Sequence, residues 1–403
     1  MPLYLRILAA VVVGVIVGVV LGPRAWPLEI PSKLVLRLLS ALATPLILLA
    51  VVQALMHAEV PRGSGFKLLR LLLLNTLVAI SIGLLVANVV RPGHWAGSEP
   101  ESEAPDTAPA IPPALEQFLD SIPKSLLGPL GDGGKVISAI LLAIAFGVAL
   151  RGVKHEKINT VADLVTVGFN VLIVLLHWII AVIPLAVFGI VASIVGTKGF
   201  GAFAGLGAFV IAVLIALALQ VSYYLVRIRF GSWARPSHVI RGMRDALVMA
   251  FSTASSTATM PVTYACLREK VGLRERSASL GALVGANFNN DGTALYEAMA
   301  ALFISQMLGI ELSVWQQFLV VLTSVAASVG AAGIPEAGIV TMTLVFDAVD
   351  LPVTYIPLLL TVDWFLDRCR TAVNVMGDVN VSCLLDGKSP EAIEVPVVPT
   401  TVT

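Results

Sequence analysis

Charged side chains are scarce in this sequence. Asp, Glu, Lys and Arg make up 13% of its 403 residues, whereas soluble domains carry roughly 25%. Hydrophobic residues make up 57% of the chain, and its mean hydropathy is +0.92. The formal net charge is zero, so composition gives no support to nucleic acid as a partner. These values predict a polytopic membrane protein in a lipid bilayer rather than a soluble domain.

Cysteine and histidine are also rare. Cys266, Cys369 and Cys383 are scattered within or beside apolar segments, which excludes a disulfide framework and a zinc-ligand spacing. The five histidines lie outside the polar motifs described below, so no base stands beside a serine nucleophile. An intramembrane hydrolase using Ser255 or Ser256 is therefore disfavoured, and we do not expect an enzyme or a cofactor.

Long apolar runs predict membrane helices, each close to the roughly 20 residues that span a bilayer. We interpret the first run as a membrane helix rather than a signal peptide, because it is long and no cleavage site followed by a soluble domain is evident. Residues 93–133 are rich in Pro, Ala and acidic residues and are typical of an aqueous loop. The predicted apolar runs are 3–22, 32–56, 68–90, 134–151, 160–195 and 203–226.

Beyond Arg244 the apolar segments are interrupted by small polar residues, Gly and Pro. Residues 250–263 and 327–338 both show this pattern, and residues 284–299 carry three Asn and an Asp before a Gly. Non-helical backbone at membrane depth persists only where protein or a wet cavity surrounds it. We therefore predict two re-entrant helical hairpins and one unwound point within a helix.

The distribution of charge predicts orientation. Lys and Arg cluster in four connections, at 62–70, 151–157, 227–244 and 268–276, whereas the acidic loop lacks them up to Pro123. By the positive-inside rule the basic connections and both termini are cytoplasmic. The two hairpins then enter from opposite sides, which is the inverted-repeat arrangement of secondary transporters.

One polar stripe is predicted near the C-terminus, within residues 361–378. Asp367, Arg370, Thr371, Asn374 and Asp378 follow a spacing of i, i+3, i+4, i+7 and i+11, which places them on one helix face. Such groups are costly within a membrane unless they find partners. We expect those partners to be a charged solute and its coupling ions.

Four segments carry a resemblance to a known family: STASSTATMPVT, NNDGTALYEAMAALFISQ, SVGAAGIPEAG and VDWFLDRCRTAVNVMGD. Together they closely resemble the glutamate transporter family, also called dicarboxylate/amino acid:cation symporters, and look most like its excitatory amino acid branch. The resemblance implies an all-α integral membrane fold with eight transmembrane helices, two re-entrant hairpins and an elevator mechanism. It also implies a homotrimer in the plasma (cell inner) membrane.

The predicted divisions of the chain follow from hydropathy and this resemblance. The two hairpins and the last two membrane helices form the core transport domain. The early helices contribute to both the scaffold and the transport parts. The divisions are membrane helices 1–3 at 1–92, the external loop at 93–133, membrane helices 4–6 at 134–230, the transport domain at 240–385 and the tail at 386–403.

The resemblance also implies roles for single residues. Arg370 would bind a side-chain carboxylate of the substrate, and Asp367 would bind its ammonium group. Glu297 would carry a proton. The further substrate-binding residues implied are Ser255, Ser256, Thr293, Ile334, Gly338, Thr371 and Asn374. The sodium-binding residues implied are Gly285, Asn289, Asn374 and Asp378 in one set, Asn289 and Asp291 with Asn75 and Thr76 in another, and Ser328 in the second hairpin.

Structural roles remain as alternatives for most of these residues. Arg370 could form an internal pair with Asp367, and Asp291 and Asp378 could be buried structural carboxylates. Glu297 could be a hydrogen-bonded helix acid. The Ser and Thr residues of the first hairpin could serve helix packing alone.

The sequence departs from the family's pattern at several positions. Asn290 stands where Met is usual, and Ala331 stands where a Thr often helps to hold sodium. In the third span Leu72, Asn75 and Thr76 occupy positions that are usually Tyr, Thr, and Ser or Thr. Because Leu72 offers no oxygen, we expect fewer sodium ions or partial replacement by protons.

The sequence as a whole predicts a secondary active symporter of aspartate or glutamate, coupled to sodium with or without protons. Two alternatives of the same fold stay open, namely a neutral amino acid symporter and a dicarboxylate symporter. A substrate-gated anion channel is the alternative from another class, because hydrophilic breaks could line a pore.

Overall fold

A computed structural model describes residues 3–57, 65–96, 126, 136–153, 160–330 and 337–389. Within these ranges the ordered secondary structure is helical and contains no strand. The predicted all-α class is therefore confirmed. The external loop interior, the tip of the second hairpin and the C-terminal tail lie outside the described residues.

In the N-terminal half, the described residues form six long helices. Short 3-10 turns at Gly22–Glu29 and Pro92–Ala96 follow the first and third of them. The fifth helix is continuous through Pro184 and is longer than a membrane crossing needs. The helices are α1 (Leu3–Leu21), α2 (Ile30–His57), α3 (Gly65–Val90), α4 (Val136–Gly152), α5 (Val161–Lys198) and α6 (Gly201–Gly231).

The C-terminal half has shorter helices and more breaks. Two π-helical segments, Cys266–Val271 and Leu280–Val284, interrupt it, and a 3-10 turn at Val353–Tyr355 precedes the last helix. The helices are α7 (Pro236–Gly242), α8 (Arg244–Thr253), α9 (Ser256–Ala265), α10 (Glu275–Ser279), α11 (Gly285–Phe288), α12 (Asp291–Met307), α13 (Val314–Gly330), α14 (Ala337–Asp347) and α15 (Ile356–Asp386).

All six predicted apolar runs coincide with helices α1 to α6 to within a few residues. In the part of the chain that the structure describes, four helical stretches are long and apolar enough to cross a membrane: 5–39, 65–90, 161–197 and 203–231. Large apolar side chains are exposed along several of these helices, including Val20, Leu85 and Ile211. Their exposure is consistent with contact to lipid tails.

The breaks in the C-terminal half lie within the predicted segments. Helix α8 ends where Ala254 adopts a left-handed conformation at φ 52°, and Ser255 then caps α9 by accepting a 3.1 Å hydrogen bond from Ala258 N. Asn289 and Asn290 are non-helical, with ψ angles of 70° and 49°, and separate α11 from α12. Helices α13 and α14 contact each other, but their connection lies outside the described residues.

The helices form two packing groups. Helices α1 and α2 pack chiefly against α5, whereas α3 packs against α12 and α6 packs against α15. Helix α15 also contacts α8, α12 and the π-helical segment before α11, so it runs through the centre of the second group. Its polar residues are therefore enclosed by protein on several sides.

Two glycines allow α1 to approach α5 closely. A Cβ atom at Gly18 would lie 2.7 Å from the carbonyl oxygen of Ala192 and 2.8 Å from the Cβ atom of Val195. One turn earlier, a Cβ atom at Gly14 would lie 2.9 Å from the carbonyl oxygen of Phe188. Small residues four apart are the usual means by which membrane helices pack at short range.

We expect Gly18→Ala to destabilise the protein by about 1–3 kcal/mol, because the added methyl group overpacks the interface between α1 and α5. The thermal unfolding midpoint in detergent measures this effect. Gly147→Ala is the matched control, because a Cβ atom at Gly147 would meet nothing within 4 Å. Equal midpoints for the two variants would contradict this account of the interface.

Candidate functional site

Arg370 is the fully buried cation of the site. Its Nη2 atom lies 2.8 Å from Oδ1 of Asp367 and 2.9 Å from Oδ1 of Asp363. Its guanidinium carbon lies 3.9 Å from the ring centroid of Tyr296 on α12. The internal pair with Asp367 is therefore present, and a second carboxylate and an aromatic face share the same cation.

Part of this guanidinium group has no partner. Nη1 and Nε of Arg370 find no hydrogen-bond acceptor among the residues that the structure describes. Gly338 of α14 lies beside them, because a Cβ atom there would be 3.6 Å from Nη1 and 3.2 Å from the methyl carbon of Thr293. The structure thus brings together Thr293, Gly338 and Arg370, as predicted, with buried donors left for a ligand.

Two contacts of Arg370, Asp363 and Tyr296, were not predicted from the sequence. Asp363 lies four residues before Asp367, so it continues the same helical stripe one turn earlier, and this spacing could have revealed it. Tyr296 offered no comparable signal, since an aromatic residue on an apolar helix is ordinarily a core residue. Its contact with Arg370 depends on how α12 and α15 pack.

The first hairpin joins the site through its backbone and hydroxyl groups. Ser256 donates a 3.1 Å hydrogen bond to the carbonyl oxygen of Ala286 on α11. Arg368 donates from Nη1 to the carbonyl oxygens of Phe251 (3.3 Å) and Ser252 (2.9 Å) at the end of α8. These carbonyl groups are among the last of the helix and lack intrahelical partners, so Arg368 acts as a cap from α15.

Thr371 and Asn374 follow Arg370 along α15. The Thr371 hydroxyl donates to the carbonyl oxygen of Asp367 at 2.8 Å, and both residues are buried. The Asn374 side-chain oxygen accepts from the backbone N of Gly292 at 2.8 Å, at the start of α12. Ile334, predicted as a further substrate contact, lies outside the described residues.

The first predicted sodium set is assembled around Asp378. A Cβ atom at Gly285 would lie 2.5 Å from Oδ1 of Asp378, so only glycine allows this approach. Oδ1 of Asp378 and Oδ1 of Asn289 are buried and have no hydrogen-bond donor within the described ranges. Nδ2 of Asn289 donates to the carbonyl oxygen of Asn374 at 3.2 Å. Buried oxygen atoms without donors fit a small hard cation.

Asn290 and Ser328 connect the break before α12 to the second hairpin. Nδ2 of Asn290 donates a 2.9 Å hydrogen bond to the carbonyl oxygen of Ser328 on α13. Oδ1 of Asn290 lies 3.4 Å from Nδ2 of Asn374. The departure from Met at this position therefore places an amide between two segments of the predicted site.

In the second predicted sodium set, the side-chain oxygen atoms of Asp291 and Asn75 already accept hydrogen bonds. Oδ1 of Asp291 accepts a 2.7 Å hydrogen bond from the hydroxyl of Thr76, and Oδ2 accepts one from the hydroxyl of Tyr224 on α6. Oδ1 of Asn75 accepts a hydrogen bond from Arg227. Both Asp291 and Asn75 are fully buried. Tyr224 and Arg227 were not predicted, because α6 carries none of the motifs.

Gly377 stands between the two sets. A Cβ atom there would clash with Nδ2 of Asn289, and would lie 3.0 Å from the Tyr224 hydroxyl oxygen and 3.1 Å from Oδ2 of Asp291. The absence of a side chain therefore lets groups of both sets approach α15 together.

Glu297 lies on α12 and is fully buried. Its Oε1 atom accepts a hydrogen bond from the hydroxyl of Thr341 on α14, and its Oε2 atom has no donor in the part of the chain described. The hydrogen-bonded helix acid of the structural alternative is thus observed. One unsatisfied oxygen leaves room for a proton on that atom.

Comparison with known proteins agrees with these motifs. The sequence profile of the sodium:dicarboxylate symporter family matches residues 3–388. Excitatory amino acid transporter 4 of Mus musculus is 38% identical over 266 residues, which are 65% of this chain and 47% of that protein. Excitatory amino acid transporter 2 of Homo sapiens is 40% identical over 250 residues, covering 61% of this chain and 43% of that protein.

A third relative has a comparable identity and coverage. Excitatory amino acid transporter 3 of Mus musculus is 36% identical over 271 residues, which are 67% of this chain and 52% of that protein. The chain thus spans about half the length of the curated relatives it matches. The profile match across nearly the whole chain, together with the buried Arg370 site, shows that this protein belongs to the sodium:dicarboxylate symporter family.

Proposed function

We propose that this protein is a secondary active symporter that takes up aspartate or glutamate together with sodium. The observation that carries the proposal is the Arg370 guanidinium, fully buried and with two nitrogen atoms that lack acceptors among the described residues. A guanidinium group pairs with a carboxylate through two parallel hydrogen bonds. An acidic side chain is therefore the ligand that best completes this group.

The remaining substrate contacts follow from the same geometry. Asp367 lies one helical turn before Arg370 and would receive the substrate ammonium group. Thr293 and Gly338 line the space beside Arg370, and the hairpin residues Ser255 and Ser256 would hold the α-carboxylate. Thr371 and Asn374 would complete the wall on α15. A ligand without the amine would offer Asp367 no cationic group beyond Arg370 to balance the added carboxylate, which disfavours plain dicarboxylates.

Charge explains why uptake would require a cation. Arg370 with Asp363 and Asp367 forms a group with one positive and two negative formal charges. An acidic amino acid brings a further net negative charge into the same buried region. Because uncompensated buried charge costs several kcal/mol, a cation bound nearby favours substrate binding, and substrate binding favours the cation in return.

Sodium would bind at the set around Asp378. The carboxylate, the side-chain oxygen of Asn289 and the backbone carbonyl groups of Gly285 and Asn374 supply the oxygen ligands. Ser328 would contribute at the second hairpin through backbone oxygen. The second set would comprise Asn75, Thr76, Asn289 and Asp291.

The architecture we propose for transport is that of the family resemblance. Eight transmembrane helices and two re-entrant hairpins would sit in the plasma membrane of the cell, with both termini cytoplasmic. The group of α3, α6, α12 and α15 with the hairpins would move as the transport domain against a trimeric scaffold of the early helices. The two packing groups seen in the fold support this division.

The direct test is uptake of radiolabelled aspartate, glutamate, serine and succinate into proteoliposomes, with sodium, proton and potassium gradients varied separately. We expect concentrative uptake of aspartate or glutamate that requires a sodium gradient. Uptake that only dissipates an existing gradient of substrate would favour a channel. Failure to take up any acidic amino acid under every cation condition would reject the proposed function.

Arg370→Ala is expected to remove the preference for acidic over neutral amino acids, because the carboxylate partner is lost. Arg370→Lys keeps the charge but not the paired donors, and should weaken aspartate uptake by about tenfold or more, equivalent to at least about 1.4 kcal/mol. Apparent affinities from uptake measurements check both. Arg229→Ala, on the exposed surface of α6, is the control. Undiminished acidic preference in Arg370→Ala would count against the assignment.

Asp378→Asn is expected to raise the sodium concentration for half-maximal uptake by about tenfold or more, because the only carboxylate of the first set loses its charge. Asp245→Asn is the matched control, because Asp245 is exposed and pairs with Lys270 at the surface. The sodium dependence of aspartate uptake in proteoliposomes measures the effect. An unshifted sodium dependence would show that Asp378 is not a sodium ligand.

Glu297→Gln is expected to flatten the pH dependence of aspartate uptake across the neutral range, because we propose that Glu297 carries a proton during the cycle. Gln preserves an oxygen that can accept from Thr341 and cannot titrate. Uptake should be compared over a series of pH values at fixed sodium. A pH profile identical to that of the unmodified protein would leave Glu297 with a structural role only.

A further inference from the structure

Arg227 brings a fixed positive charge to the second predicted sodium set. It is half-buried on α6, and its Nη1 atom donates to Oδ1 of Asn75 on α3. Its guanidinium carbon lies 5.4 Å from the ring centroid of Tyr223, which helps to fix its orientation. The backbone oxygen of Asn75 accepts a 3.3 Å hydrogen bond from Nε2 of Gln220. Both oxygen atoms of Asn75 therefore already have donors.

The carboxylate of this set is occupied in the same way. Each oxygen of Asp291 accepts a hydrogen bond from a hydroxyl group, one from Thr76 and one from Tyr224. Leu72, one turn before Thr76, contributes no oxygen atom. A sodium ion at this place would compete with these donors for the same oxygen atoms and would approach a guanidinium group of like charge.

The first set provides an internal comparison. Around Asp378, Oδ1 of Asp378 and Oδ1 of Asn289 have no donor within the described residues, and no arginine forms an ion pair or a hydrogen bond with them there. Two neighbouring buried carboxylates thus differ in what surrounds them. Asp378 has an oxygen atom without a donor. Both oxygen atoms of Asp291 accept from hydroxyl groups, and Arg227 donates to Asn75, which precedes Thr76 in the sequence.

We propose that the Arg227 guanidinium takes the place of a cation beside Asn75, Thr76 and Asp291 in the second set, which shares Asn289 with the first, so that the second set binds no sodium. Since a like charge disfavours cation binding in a medium of low dielectric, the protein would couple to fewer sodium ions than its predicted ligand sets suggest. This inference rests on the proposed function only in taking sodium as the coupling ion.

The test is equilibrium binding of radioactive sodium to the purified full-length chain, without any amino acid present. We expect Asp378→Asn to lose one bound sodium ion per protomer, whereas Asp291→Asn should lose none. Arg227→Ala should gain one ion, because it frees the oxygen of Asn75 and removes the opposing charge. Arg229→Ala, two residues further along the same helix and exposed, should leave the number unchanged.

The double variant Arg227→Ala with Asp291→Asn should lose the ion that Arg227→Ala gains. Elution as a single species by size exclusion verifies that each variant is folded before ions are counted. A loss of one sodium ion in Asp291→Asn alone would overturn the proposal, and so would an unchanged number in Arg227→Ala. Aspartate uptake is a separate measurement, so a protein that binds sodium but takes up no acidic amino acid would reject the proposed function alone.

Discussion

The buried ion pairs of Arg370 are the interaction on which the rest of the structure depends. A guanidinium group that is fully enclosed by protein requires carboxylate partners, and α15 supplies two of them from its own preceding turns. Helix α12 covers the group with the ring of Tyr296, and α14 approaches through a glycine. The helices of the second packing group are thus arranged around one cation whose hydrogen-bonding capacity the described residues leave partly unused. The function we propose rests on that remaining capacity.

The fold was largely predictable because the length and hydropathy of apolar runs identify membrane helices. The runs at 68–90 and 203–226 coincide with α3 and α6, and the polar interruptions correctly located the breaks at Ala254 and at Asn289. The stripe on α15 was predictable from helical spacing, although its first member, Asp363, was overlooked. These features depend on local sequence, where periodicity is informative.

The parts that escaped prediction depend on packing between distant segments. Tyr224 and Arg227 lie on an otherwise ordinary apolar helix, and no spacing within α6 points to Asp291 or Asn75. Tyr296 likewise gains its role only when α12 lies across α15. A family pattern predicts which residues could bind an ion. It does not reveal which donors on other helices already form hydrogen bonds with those residues. How many cations such a ligand set can hold is therefore a property of the packed structure.

Gly377 has a consequence for how the two carboxylate regions communicate. Without a side chain there, Nδ2 of Asn289, the hydroxyl oxygen of Tyr224 and Oδ2 of Asp291 converge on the space that a Cβ atom would fill. A displacement of a few tenths of an ångström by one of them must be taken up by the others, since packed interiors yield little. The bare backbone of α15 therefore makes the position of Asn289 depend directly on that of the hydroxyl and carboxylate groups beside it.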